Sequence, residues 1–348
     1  MKIDIKEIAR EAGVSTATVS RALNGKGPIR EVTRNKILRI ARQHNYLPNS
    51  NARGLSRRKT ETIGVILPEL VDEFFMDLIH SIDEAAYRSN YYVMISSSHS
   101  HRNTIETLMA FMGSGRVDGV ILMAPQLQDS ELFSFIEKIN RPLVLLNALK
   151  NPEYLDRYIS FRIDNYRGAA ANVEHLVEHG YKKIGMIKGP EGNCDAEERF
   201  SGFKDTLKKH NIDFNPAFVV NGDFTSKSGY YGFMRLMSQS DKPEAVFAAN
   251  DMMALGAYEA AKDSNIVIPD HVALTGFDDV FLTRLLTPRL TTVHAPIKTE
   301  LGNKAVSYLL KMISGEVEVD QPYHESLSTG LVIGGSCGCH KNSPQIIT

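Results

Sequence analysis

Tryptophan is absent from the 348 residues, and cysteine occurs only at Cys194, Cys337 and Cys339. So sparse and odd a set of thiols makes no disulfide framework and fits a reducing compartment. No apolar run is long enough to span a membrane, and the charged N-terminus lacks the apolar core of an export signal. A soluble, cytoplasmic protein with no membrane partner is therefore expected. Three enzyme signatures are also missing: G-x-x-x-x-G-K-[ST] for phosphates, H-E-x-x-H for catalytic zinc and G-x-G-x-x-G for dinucleotides. Asp278 and Asp279 are adjacent carboxylates, but adjacency in sequence does not put them in one site. These absences argue against an enzyme. Cys337-Gly338-Cys339-His340 offers three metal-binding side chains with no fourth nearby in sequence, so neither a metal nor a cofactor is expected.

The net charge of −1 conceals a division. Residues 1–60 carry 14 Lys+Arg against 4 Asp+Glu, a net of +10, and the rest carries 26 against 37, a net of −11. A basic head on an acidic body suits a head that binds phosphate. Within the head, Ile5, Ile8, Ala9 and Ala12 share one face at helical spacing. Gly13 supplies a left-handed turn, and Ser15 can cap a second helix starting at Thr16. Val19 and Leu23 of that helix turn inward beside Val14, and small Ala9 lets the two helices approach. This is the layout of a helix-turn-helix, whose second helix enters the DNA major groove; an ordinary helical hairpin would show the same packing.

A third helix is expected at about Val32 to Gln43, directing Ile37, Ile40 and Ala41 at the first two. Residues 46–59 then form a basic segment in which Asn49 or Ser50 could cap a two-turn helix reaching Leu55. Gly54 costs that helix about 1 kcal/mol relative to Ala, and so short a helix is largely unfolded alone. A plain basic linker is the alternative. From Thr62 onward, short β-type runs alternate with amphipathic stretches, in two successive sets: Ile63–Leu67 to Leu143–Leu146, then Ile159–Ile163 to Val272–Thr275. That alternation predicts two α/β lobes with doubly wound parallel sheets and a ligand cleft beyond the carboxyl ends of the strands.

Several segments resemble the lac repressor family (LacI/GalR) of bacterial transcription regulators: IKEIAREAGVSTATVSRALNG, TRNKILRIARQHNYLPNSNARGL, ETIGVILPE, RVDGVILMAP, DNYRGAAANVEHLVEHGYKKIGMI, AANDMMALGA and LTGFDDV. The resemblance covers nearly the whole chain. It implies a three-helix headpiece at 1–48 and a hinge helix with linker at 49–60. Beyond these it implies a core like that of periplasmic sugar-binding proteins. The N-terminal lobe would comprise 61–162 and 293–321, the C-terminal lobe 163–292 and 322–340, with a tail at 341–348. The implied protein is a ligand-responsive repressor that binds a palindromic operator in double-stranded DNA. No heptad repeat follows the core, so a homodimer is expected.

DNA contacts are implied at Ser15, Thr16, Ala17, Thr18, Ser20, Arg21 and Asn24, and at Asn51, Ala52, Arg53 and Leu55 of the hinge. Thr16, Ala17 and Arg21 match positions that face base edges. Arg21 can bond guanine bidentately or contact a phosphate, and Thr18 and Ser20 suit phosphates or capping. Leu55 matches a leucine that wedges into the minor groove and kinks the duplex. Effector contacts are implied at Phe75, Asn147, Asp195, Arg199, Phe224, Asn250 and Asp278. By themselves, Phe75 and Phe224 would read as core and Arg199 as a solvated helix residue. Asp195 would touch the ligand or hold Arg199. Asp251 is expected to cap the next helix, leaving Asn250 to point into the cleft, and Asp279 could be a cap.

Two departures bear on the ligand. Position 147 is often Asp in sugar-binding members and is Asn here; position 224 is often Trp and is Phe here. A third, Arg30 in place of a Ser or Asp cap, implies a poorly capped third helix. A sugar or sugar derivative is the expected effector. The alternatives are a regulator modulated by a partner phosphoprotein, as in the catabolite-control branch, or a cytoplasmic sugar-binding protein or enzyme on the same core.

Overall fold

The computed structural model describes residues 4–23, 27–44, 46, 59–68, 72–97, 104–127, 129–136, 141–147, 158–318, 322–339 and 346–347. Asn24, the hinge residues Asn51, Ala52, Arg53 and Leu55, and His340 lie outside the described residues. The chain divides into two units, Met1–Thr60 and Glu61–Thr348.

In the first unit the expected helices form: α1 (Ile5–Ala12), α2 (Thr16–Leu23) and α3 (Glu31–Gln43). Asp4 caps α1 by accepting the Glu7 N–H at 2.9 Å, and the Glu7 carboxylate accepts the Asp4 N–H at 3.0 Å. That reciprocal box satisfies donors the helix itself cannot use. Gly13 ends α1 at φ +71°, in the left-handed region. Ser15 Oγ then accepts the Thr18 N–H at 3.2 Å at the start of α2. No side chain caps α3, whose N-cap is Arg30. Ile8, Val19 and Ile37, one from each helix, are fully buried and meet with Ala9, Ala12, Ala22, Ile40 and Ala41 in one small core.

The second unit holds two sheets. The first runs in the order β2 (Tyr92–Ser97), β1 (Thr62–Leu67), β3 (Gly119–Met123), β4 (Leu143–Leu146), β5 (Ile159–Ile163), β11 (Tyr323–Leu327), all parallel. The second runs β7 (Val219–Asn221), β6 (Ile184–Lys188), β8 (Ala245–Ala248), β9 (Ala273–Asp278), β10 (Thr291–His294), β12 (Gly330–Val332), β13 (Ile346–Ile347), antiparallel only in its last two pairings. Strands β3, β4, β6, β8 and β9 are buried along their whole length, which is why β3, β4 and β8 read as unbroken apolar runs and not as alternating ones. The flanking helices used below are α4 (Glu73–Arg88), α5 (Thr104–Gly113), α6 (Asp129–Ile136), α7 (Asn165–Glu178), α8 (Cys194–Lys209), α9 (Ser226–Met237), α10 (Asp251–Asp263) and α11 (Gly302–Ser314).

The lobe boundaries differ from the expected ones. Strand β10 lies wholly in the second sheet, so the chain leaves that lobe after His294 and not between 292 and 293. Strand β11 pairs with β5 in the first sheet, which moves the return crossing from 321/322 to the two residues between Leu327 and Gly330. A strand's apolar pattern does not say which sheet it joins; that depends on a partner far away in sequence. Ile346–Ile347, expected in a tail, pair with β12.

Candidate functional site

On α2 the buried side chains are Val19 and Ala22. Thr16, Ala17 and Arg21 are exposed on the other side, with Thr18 and Ser20 half-buried. Ser15 and Thr18 also bond each other, hydroxyl to hydroxyl, at 2.9 Å. The geometry thus offers Thr16, Ala17 and Arg21 outward and spends Ser15 and Thr18 on the helix start.

The second site is a cavity of about 240 Å³ at the carboxyl ends of both sheets' strands. Pro68, Asp72, Phe75, Met123 and Gln126 line it from the first lobe, and Asn193, Asp195, Arg199, Asp223, Phe224, Asn250 and Asp278 from the second. The switch points of the two strand orders, β1/β3 and β6/β8, are where such sheets open a crevice. Six of the seven expected effector residues therefore share one cavity. The lobes also touch: the Glu73 carboxylate accepts the N–H groups of Phe281 and Leu282 at 3.0 and 3.1 Å.

Asn147 is the exception, since it does not line the cavity. Its amide oxygen accepts the Ile163 N–H at 3.1 Å and its amide nitrogen donates to Asp195 at 3.2 Å. It positions Asp195 from beneath, so the Asp-to-Asn departure does not alter the cavity's own acceptors. Asn250 lines the cavity as expected, but the cap expected of Asp251 falls to Asn250 as well. Asn250 caps α10, its Oδ1 accepting the Met253 N–H at 2.9 Å, while its Nδ2 donates to Phe224 O at 3.0 Å. Asp251 is fully buried and accepts from Val280 N at 3.0 Å and Thr292 Oγ1 at 2.6 Å. Asp279 is an ion-pair centre, with His294 at 3.1 Å and Arg284 at 3.6 Å.

Arg199 is the best anchored cavity residue. Its Nε donates to Asn165 Oδ1 at 2.8 Å, and its terminal nitrogens donate to Ala249 O at 2.5 Å and Asp278 Oδ1 at 3.2 Å. Its guanidinium carbon sits 3.7 Å from the Phe277 ring centroid. A guanidinium has five N–H donors, so these three bonds leave donors for a ligand oxygen. Burial pushes the Asp278 carboxyl up to about 7, with Arg199 opposing and Asp72 and Asp195 adding to the rise. Burial likewise raises Asp195 to about 6, again against the pull of Arg199. Burial, then the charge of Asp278, holds Asp251 well above the usual carboxylate range. Phe224 sits at φ +69° and Asp278 at φ +112°, backbone conformations that L side chains rarely adopt and that concentrate at binding sites. The Phe224 ring fits because residue 189 is glycine: a Cβ there would stand 2.4 Å from it.

A fourth enzyme signature, that of a nucleophile elbow, does occur in the sequence. Gly334-Gly335-Ser336-Cys337-Gly338 spells G-x-S-x-G. Ser336 is fully buried, donates to Leu274 O at 2.5 Å and accepts the Thr291 N–H at 2.8 Å. It is a structural brace with no exposed hydroxyl, and so cannot serve as a nucleophile elbow.

Residues 4–49 match the family of bacterial regulatory proteins, lacI family, and residues 173–337 match the periplasmic binding protein-like domain. The HTH-type transcriptional repressor PurR of Haemophilus influenzae (strain PittEE) is 32% identical over 323 residues, 92% of this chain and 94% of that one. The chain belongs to the lacI family. Among solved structures, the lac repressor dimer bound to operator and the anti-inducer ONPF matches with a TM-score of 0.86 at 26% identity, covering 97% of this chain and 99% of that one. The transcriptional regulator CelR in complex with cellobiose matches with a TM-score of 0.72 at 26% identity, covering 96% and 99%. This lacI-family chain is a DNA-binding transcription regulator, not an enzyme. Among its described residues no helix is long and apolar enough to cross a membrane.

Sequence reasoning missed Asp72, Asn193, Asp223 and Asn165 at this lacI-family cleft. Asp72 and Asn193 were legible as N-caps, accepting N–H groups of Phe75 and Ala196. Both caps lie in the connections that follow strands β1 and β6, at the strand ends where the cleft opens.

Proposed function

We propose that the protein is a homodimeric repressor that binds a palindromic operator and responds to a small, uncharged, polyhydroxylated effector held between the lobes. The observation that carries the effector reading is Arg199, locked by Asp278 and Asn165 beside the Phe224 ring in a cavity of about 240 Å³. A fixed fork of donors, carboxylate acceptors and an aromatic plate are the groups that orient sugar hydroxyls and stack on a sugar face. Among the described residues, Asp72, Asp195, Asp223 and Asp278 line the cavity and Arg199, already paired with Asp278, is its one cationic side chain; that balance disfavours sugar phosphates. The volume lies below the roughly 300–1,000 Å³ of drug-sized pockets, which favours a ligand of one or two rings. CelR, bound to cellobiose, offers a relative with such a ligand.

The dimer reading draws on strand β2 at the edge of the first sheet, where Tyr92, Met94 and Ile95 are 75%, 37% and 39% exposed. An apolar strand edge left open invites pairing with another chain, and a second copy would cover it. In this scheme Thr16, Ala17 and Arg21 read base edges, Leu55 wedges the minor groove, and effector binding alters how readily the two hinge segments form on DNA. A coupling of about 1–3 kcal/mol suffices to change operator affinity 5–150-fold.

The test pairs a calorimetric screen of neutral sugars, nucleosides and sugar phosphates with operator titrations in the presence and absence of each hit. Binding of a neutral hydroxylated ligand that shifts operator affinity supports the reading. Binding only of sugar phosphates, or a cleft ligand that leaves operator affinity unchanged, overturns it.

A further inference from the structure

The two cysteines of the C-terminal Cys-Gly-Cys run find partners about 160 residues upstream, at the C-terminal end of α7. His175 lies on the last turn of that helix and His179, four residues on, is its C-cap, so the two rings fall on one side. His175 Nε2 lies 3.2 Å from Cys337 Sγ, His179 Nε2 lies 3.0 Å from Cys339 Sγ, and His175 Nε2 lies 4.0 Å from Cys339 Sγ. All four ligand atoms fall within 4.8 Å of one another. Zinc bonded at about 2.0–2.1 Å to nitrogen and 2.3 Å to sulfur sets tetrahedral N···S edges of about 3.5 Å. The observed separations straddle that edge.

The surroundings hold the four groups in place. Thr291 Oγ1 accepts the Gly334 N–H at 2.9 Å, which directs its own hydrogen to Cys337 Sγ at 3.0 Å. That is the outer hydrogen bond that orients and tunes a thiolate ligand. Tyr181 donates to Cys337 O at 3.2 Å, and Gly338, at φ +94°, makes the reversal that brings both sulfurs to one side. Neither Cys337 nor Cys339 is in a disulfide. Four weakly hydrogen-bonding groups gathered this closely give little stability by themselves.

We propose that His175, His179, Cys337 and Cys339 form a closed tetrahedral zinc site, separate from the effector cleft, that fastens the end of the C-terminal lobe onto α7. Two thiolates and two imidazoles are a donor set that selects zinc by softness and geometry. Binding releases both thiol protons, so the two sulfur charges balance the ion. Four protein ligands leave no open position for water, which makes the site structural and not hydrolytic. The same helix begins at Asn165, which holds Arg199 and Asp195, so the clamp steadies the helix that supports the cleft from its far end.

The test uses the full chain without an affinity tag, reduced, stripped with chelator and titrated with cobalt(II) as the probe. The expected result is one cobalt per chain, with the visible bands of a tetrahedral ion and a near-ultraviolet thiolate-to-cobalt transition, both abolished by one equivalent of zinc. Cys339→Ser and His179→Ala, at the more exposed half of the cluster, lose this spectrum; Cys194→Ser, outside the cluster, keeps it. Zinc raises the melting temperature of the stripped wild type and not that of Cys339→Ser. An octahedral spectrum without the thiolate transition in the wild type overturns the proposal whether or not the variants fold. So does a tetrahedral spectrum that survives Cys339→Ser or disappears with Cys194→Ser.

Discussion

Arg199 is the residue on which the cleft's electrostatics turn. It is 3% exposed, and its one carboxylate partner, Asp278, is almost as deeply buried. Removing the arginine leaves Asn165 Oδ1, Ala249 O and Asp278 Oδ1 buried without their donor, together a loss of about 3–5 kcal/mol, even where the Asp278 carboxyl takes up a proton. Arg199→Ala should therefore cost the core about that much in urea unfolding and abolish the effector response. Asn147 gives a prediction opposite to the one that family resemblance suggests. Restoring the Asp common at that position puts a carboxylate against Asp195 and removes the donor now 3.2 Å from it. Asn147→Asp should destabilise the core by about 1–3 kcal/mol, without tightening a neutral sugar, as unfolding and calorimetry would show. Side-chain identity was legible here, and side-chain assignment was not. Asn250 and Asp251 both suit a helix start, and which of them caps is decided by Thr292 and Val280, whose bonds to Asp251 no local pattern reveals.

Helix starts are the element-scale feature that matters most. Helices α7, α8 and α9 begin at Asn165, Cys194 and Ser226, four, six and three residues before Ala169, Phe200 and Gly229, where the amphipathic pattern of the sequence places their starts. Their first turns are polar and short of the apolar residues that mark helical period, so periodicity does not reach them. Caps do: Asp164, Asn193 and Thr225 each accept an N–H three residues on. Those unseen turns carry Asn165, which is why its hold on Arg199 and Asp195 was not legible while the strand ends at Asn250 and Asp278 were. The headpiece helices were legible nearly to the residue, because Asp4, Gly13 and Ser15 punctuate them. Helix α3 lacks such a device, having Arg30 at its N-cap. A hydroxyl there can accept one of the N–H groups left over at the helix start, worth about 1 kcal/mol. Arg30→Ser should slow hydrogen exchange at Val32 or Thr33 by the corresponding factor of about five and leave α1 unchanged. Equal exchange in the two proteins would mean that another group already satisfies that end.

At the scale of the whole molecule, two lobes, two sheets and their alternation followed from the apolar pattern, but the crossings between lobes did not. They are set by β11 joining β5 and β10 joining β9, pairings between segments far apart in the chain. The C-terminal lobe buries Asp195, Asp251 and Asp278, and this has a measurable effect on stability. Asp278 titrates at about 7 in the folded chain, pushed up mainly by burial, against 3.8 for an ordinary aspartate. Between those values the folded chain holds a proton that the unfolded chain has released. Stability then falls as pH rises through this window and levels off above about 7, because the state that binds more protons is favoured by acid. Other groups titrate in the same range, so the wild type alone does not isolate the effect. Asp278→Asn keeps an acceptor for Arg199 and removes the titration. The melting temperature of the wild type should fall relative to that of Asp278→Asn as pH goes from 5 to 8. A constant difference would mean that the pair with Arg199 outweighs burial and that Asp278 stays ionised throughout.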